Sequence, residues 1–159
     1  MLKRLRTPLL ALVVVGGLTG TALATPSVPA AGFHPMLLSR ATLDEPVRIN
    51  AGDIRFRTKD AVDVTHQTIT IDPRGSSGWH THPGVVLITV KSGGVVRYHA
   101  DCSSDTYEAG DAFTESGKHA GLVRNASATT PAVSFLTYIT PVGAALRVDA
   151  PNPGCPSVN

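Results

Sequence analysis

Two histidines one residue apart, His80 and His82, lie in the segment Gly78-Trp79-His80-Thr81-His82-Pro83-Gly84. It runs directly into the β-type stretch Val85-Val86-Leu87-Ile88-Thr89-Val90. Residues two apart on a strand point to the same face, so the pair presents two imidazoles side by side. Imidazole suits zinc, copper, iron and nickel, which makes the pair half of a metal site. The competing reading is two inward histidines held by hydrogen bonds in a wet interior. No Gly-x-Ser-x-Gly elbow and no phosphate loop is present, so covalent and nucleotide chemistry are unsupported. His66 and His99 have polar neighbours and are expected at the surface or rim.

The elements that must position the pair are strands. Candidate strands cover 47–50, 54–58, 64–71, 85–91, 95–99, 111–115, 121–125, 132–141 and 146–149. They are rich in Val, Ile, Thr and Tyr, and Gly, Pro, Asp and Ser separate them. Lys91-Ser92-Gly93-Gly94 supplies the positive-φ residues of a tight hairpin, and 72–78 reads as a longer loop. The one helical hint is a short turn near 36–43. Many short strands at close spacing predict an all-β sandwich or closed barrel. About 135 residues after the N-terminal segment suit one domain with one core.

That N-terminal segment reads as a targeting signal. Lys3, Arg4 and Arg6 precede a nearly apolar run, and Ala22-Leu23-Ala24 supplies a small-x-small cleavage pattern. Cleavage is expected after Ala24, giving a secreted or extracytoplasmic protein. An uncleaved anchor is the alternative, although the run is short for a membrane span. The first 24 residues carry three of the 14 basic residues and none of the 12 acidic ones, leaving 11 against 12 and a net charge of −1. No basic block remains for nucleic acid, and no membrane contact is expected after cleavage. Residues 25–45 are turn-rich and read as a poorly ordered arm, with the barrel domain spanning 46–159. The two cysteines, Cys102 and Cys155, read as a disulfide in an exported chain, tying the C-terminal tail to the body. A metal-binding or reactive thiol pair is the weaker alternative, because their separation is no metal-ligand spacing.

The stretch from about residue 64 to 140 resembles the cupin superfamily, whose members are small jelly-roll β-barrels, and it is most similar to small secreted single-domain bacterial cupins. The first cupin motif runs glycine, His-x-His, glutamate, glycine. Gly75 or Gly78, His80, His82 and Gly93 match it, but the glutamate position falls on Val86, or on Val85 or Leu87 if the register slips, and none of them is acidic. The second motif runs Gly-Asp, then proline and glycine at a turn, then histidine, with asparagine four residues on. Gly110-Asp111-Ala112-Phe113 and Arg124-Asn125 match, but the histidine position is Gly121. Two of the four ligands that the resemblance implies are therefore present.

The nearest histidine, His119, reaches the pair if its segment is extended, because a shift of two keeps the face. Three histidines with open positions would suit a catalytic metal. Glu115 is the other candidate, giving a two-histidine, one-carboxylate site. Their plainer readings are an exposed loop histidine and a solvated strand-end carboxylate. Trp79, Val86, Glu115, Gly121 and Tyr138 are the expected pocket residues, Trp79 being better suited to core packing.

The resemblance implies a cupin that binds a divalent metal (Fe, Mn, Zn, Ni or Cu) and a small-molecule ligand, with oxygenase or isomerase chemistry as its activity. The alternatives are a metal-free pocket for an apolar or carbohydrate-like ligand, and a non-catalytic scaffold. A homodimer would cover exposed sheet edges.

Overall fold

The computed structural model describes residues 29–156 and 158. The targeting segment, 1–24, lies outside them. The described chain is all-β: β1 (Ala31–Leu43), β2 (Arg48–Ala51), β3 (Ile54–Arg57), β4 (Val62–Ser76), β5 (His80–Thr81), β6 (Val85–Ser92), β7 (Gly94–His99), β8 (Ser104–Glu108), β9 (Ala112–Ser116), β10 (Gly121–Asn125), β11 (Ala132–Pro141) and β12 (Val148–Asp149). Ten strands form one sheet in the order β12-β5-β10-β4-β11-β6-β9, with β1 beside β4, and β7 joining β10 to β8. The sheet curls into a nearly closed jelly-roll barrel. Strands β2 and β3 form a separate hairpin.

Alternation builds the barrel wall. Along β6, Val86, Ile88 and Val90 are buried while Val85, Leu87 and Thr89 are exposed. Along β11, Ala132, Ser134, Leu136, Tyr138 and Thr140 are buried. The register stacks these faces: Tyr138 pairs with Thr65 of β4 on one side and with Val86 of β6 on the other. The inward side chains form one apolar core that includes Ile69, Ile71, Ile88, Phe113 and Leu136. A second, smaller cluster holds Trp79, Leu122, Cys155 and Val158. The β6–β7 hairpin turns at Gly93 with φ +71°, and a Cβ there would sit 2.8 Å from the Pro131 carbonyl oxygen. Only glycine satisfies both conditions.

The arm differs from expectation. Most of it, Ala31–Leu43, is neither loose nor helical but a strand paired antiparallel with β4, from Phe33↔Ile71 to Leu43↔Val62. Turn residues such as Gly32 and Pro35 mask the pattern locally, while the length of β4 supplies a partner for the backbone. Asp63 of β4 fastens the pairing. It accepts hydrogen bonds from Thr42 Oγ1 at 2.7 Å, from Arg40, and from the Gly143 N–H at 2.9 Å. These bonds, with that of Thr42 first, hold its carboxyl down to about 2. Strand β4 runs on to Ser76, into the stretch 72–78 expected as a loop, because β1 and β10 extend its pairing there, and strands β5 and β8 fall outside the expected set. One has two residues, and the other, Ser-Asp-Thr-Tyr-Glu, is polar and mostly exposed.

Candidate metal centre

Strand β5 and its flanks carry His80 and His82 into the barrel, where both are buried. Their rings meet edge to face with centroids 4.8 Å apart. The third group is Glu115 on β9, whose Oε2 lies 3.1 Å from His82 Nε2 and 3.7 Å from His80 Nε2. One donor atom from each of these three residues falls within 4.8 Å of the others. Ligands about 2.1 Å from a zinc-sized cation stand roughly 3–3.5 Å apart, so the two imidazole–carboxylate spacings are close to coordinating ones.

The opposite ring nitrogens set the chemistry. His82 Nδ1 lies 2.7 Å from the Leu146 carbonyl oxygen, and His80 Nδ1 lies 2.9 Å from that of Gly78. A carbonyl only accepts, so both Nδ1 atoms carry protons. In neutral imidazoles, both Nε2 lone pairs then face the same carboxylate oxygen. Lone pair against lone pair is repulsive, so a positive charge must stand between them, either an extra proton or a metal cation. Burial alone would raise the Glu115 carboxyl. Hydrogen bonds from His80 and His82, and their charge, outweigh it and hold the group well below the usual carboxylate range. The other carboxylate oxygen, Oε1, forms an ion pair with Arg97 Nε at 3.3 Å, and among the described residues neither atom has a hydrogen-bond partner. The donor set therefore fits a cation.

The centre opens into a cavity of about 40 Å³, walled by side chains that include Phe33, Ile69, Ile88 and Leu136. That volume admits about three waters. Tyr138 lines it, and its ring lies 5.9 Å from that of His82. Burial, with the Glu115 charge adding to it, pushes the Tyr138 phenol up, so it stays protonated and able to donate.

The sequence-predicted residues fall into two groups. His80, His82, Glu115 and Tyr138 come together. His119 does not: it is exposed, because β9 ends at Ser116 and the chain turns at Gly117 with φ +73°. The segment is not extended, so the two-residue shift fails to keep the face. Trp79 is buried in the smaller cluster, and Val86 is wholly inside the barrel core, so neither lines the cavity. Val86 is, however, the cross-strand partner of Glu115. The carboxylate thus enters from the neighbouring strand at the level where the cupin motif places its glutamate. Gly121 stands beside it: a Cβ there would lie in ordinary van der Waals contact with Glu115 Oε1, at 3.4 Å, and a longer side chain would point at the carboxylate. The two departures from the motif compensate each other.

His66 is exposed as expected, and the partly exposed His99 lies 2.8 Å from Asp105. Cys102 and Cys155 form the disulfide, with Cα atoms 5.4 Å apart, which suits an oxidising compartment. Sequence reasoning missed Arg147, Leu146 and Phe33. Backbone carbonyls carry no sequence signal, and Phe33 lies in the segment that reads as an arm.

No family model and no curated protein matches the sequence. Among solved structures, the chain is similar to a double-stranded β-helix protein from Klebsiella pneumoniae (20% identity, 68% of this chain and 86% of that one, TM-score 0.47). It is also similar to a cupin domain from Bordetella pertussis (17% identity, 69% and 94%, TM-score 0.47). A third similar structure is the Lactobacillus farciminis oxalate decarboxylase (14% identity, 54% and 26%, TM-score 0.47), of which the chain spans about a quarter. These are similarities only; the all-β, nearly closed barrel is read from this chain's own strand order.

Proposed function

We propose that this cupin-fold barrel binds a divalent transition metal through His80 Nε2, His82 Nε2 and the Glu115 carboxylate, together with a small ligand in the adjoining cavity. The observation that carries this reading is the convergence of two Nε2 atoms on one buried carboxylate, with both Nδ1 atoms committed to backbone carbonyls. Two histidines and one carboxylate with open positions form the donor set of non-haem iron oxygenases. When bound, the metal would supply Lewis-acid or O₂-activating chemistry. The chain's own residues do the rest. The two carbonyls orient the imidazoles, the apolar wall limits water, and the Tyr138 phenol presents a proton to the cavity. The disulfide and the N-terminal segment support an extracytoplasmic location.

A metal-free centre is the second reading, favoured by Arg97 standing 3.3 Å from Glu115. There an extra proton on His82 would balance the carboxylate.

Elemental mass spectrometry on untagged protein, residues 25–159, separates the two. Near-stoichiometric metal is expected in the wild type and none in His80→Ala/His82→Ala or Glu115→Leu. No metal after reconstitution with Fe, Mn, Zn, Ni and Cu would overturn the first reading in favour of the second.

A further inference from the structure

The C-terminal segment does more than close the chain. Leu146 supplies the carbonyl that takes the His82 Nδ1 proton, at 2.7 Å. The next residue, Arg147, donates from Nη1 to the Ser77 carbonyl oxygen at 2.8 Å. Val148 pairs with Thr81, and Asp149 with His80. The Ala150 N–H then donates to the Trp79 carbonyl oxygen at 2.9 Å. Five consecutive residues thus grip the segment 77–82, which contains both histidines.

That grip is short. Strands β12 and β5 have two residues each, too few to hold a sheet edge by themselves. The chain beyond β12 acts as an anchor. Asn152 Oδ1 accepts the N–H groups of Gly154 and Cys155 at 2.9 and 2.8 Å, making a tight turn. Cys155 and Val158 are wholly buried against Trp79 and Leu122. The disulfide then ties Cys155 to Cys102, in the turn after β7. Strand β7 is itself within reach of the site through β10, since Gly121 pairs with both His99 and His80.

We infer that residues 146–155 are a positioning element of the His80–His82–Glu115 centre, and that the Cys102–Cys155 disulfide holds it in place. With the bond intact, Leu146 fixes the His82 ring with a proton on Nδ1 and Nε2 turned toward Glu115. With the bond broken, the tail loses its covalent anchor and is held by its two-residue pairing, a few hydrogen bonds and a small cluster. His82 then samples the other tautomer, in which Nε2 carries the proton and cannot ligate. This inference rests on the proposed metal site for its functional consequence, but its structural half stands without metal.

The test uses two forms with the bond removed. One is Cys102→Ser/Cys155→Ser. The other is folded wild type reduced by a water-soluble phosphine, then desalted without air. In that reduction the phosphine becomes its oxide, water supplies the oxygen, and two thiols form. Far-UV circular dichroism checks that the barrel persists. Two readouts are taken. Proton–nitrogen NMR of the metal-free protein detects the His82 Nδ1 proton, expected in slow exchange in the oxidised wild type and lost to exchange in both bond-free forms. Cobalt(II) affinity, by competition with a chromophoric chelator, is expected to fall at least tenfold. If the Nδ1 proton is equally protected in all forms, the inference is overturned, whatever the metal result. If protection is lost but no form binds cobalt, the positioning element stands and the metal reading fails. Equal cobalt affinity in all forms overturns the functional half. If the serine variant does not fold, the reduced wild type decides.

Discussion

The two walls of the site are built differently. On one side, β4, β6, β9 and β11, with Val95 of β7, put ten buried side chains into a single cluster, each strand paired over several residues. On the other, the tail (Cys155 and Val158), the short bridge (Trp79) and Leu122 of β10 put four buried residues together, one of them a half-cystine. The first wall follows from period-two alternation and stands by burial alone. The second has too little apolar area and too few ladder bonds to do so, and a covalent tie takes their place. His82 spans the difference: its Nε2 faces a carboxylate from the barrel wall, and its Nδ1 bonds to a carbonyl from the tail.

The comparison can be broken at either wall. Removing the disulfide is expected to have the largest effect. It closes a loop of about 54 residues, and the chain-entropy model assigns such a bond roughly 4 kcal/mol. Chemical denaturation of Cys102→Ser/Cys155→Ser measures that loss. In native buffer, fluorescence of the single tryptophan, Trp79, should shift red as the tail cluster loosens. An unchanged midpoint and spectrum would show that the tail wall needs no tie. Leu136→Ala cuts into the barrel cluster and should cost about 3 kcal/mol through lost burial and a cavity. Its midpoint should fall while native Trp79 emission stays unchanged, and a matching shift there would mean that the two clusters are one. The third effect is pH-dependent. Asp63 is held at about 2 against 3.8 for a free carboxyl. A depressed carboxylate contributes stability that is present above pH 3.8 and lost as pH falls through about 2. Asp63 joins β1 and the Gly143 turn, which leads into the tail. Acid titration followed by circular dichroism should therefore show a step in that window that Asp63→Asn removes. The same step in the variant would assign it elsewhere.

Much of this was legible in the residues. The β class, the Gly93 hairpin, β10 and β11 at their full lengths, and the His80–His82 pair all come from local rules of alternation and turn chemistry. The arm was not legible, because whether Ala31–Leu43 is a strand depends on β4 being long enough to receive it. The third donor was ambiguous for a related reason. His119 and Glu115 are four residues apart, and only the end of β9 at Ser116 decides which of them still points inward.

The amino-acid sequence by itself determined what repeats or depends on neighbours in the chain: the strands, their inward faces, the two imidazoles, and the export-type cysteine count. Tertiary structure decided what depends on pairing across the chain. It brought Glu115 beside Val86 and next to Gly121, and it set the Leu146 carbonyl against His82 across 64 residues. A carbonyl has no residue identity, and a register has no meaning until the partner strand is in place. The half of the site made of side chains could therefore be read in advance, and the half made of backbone and pairing could not.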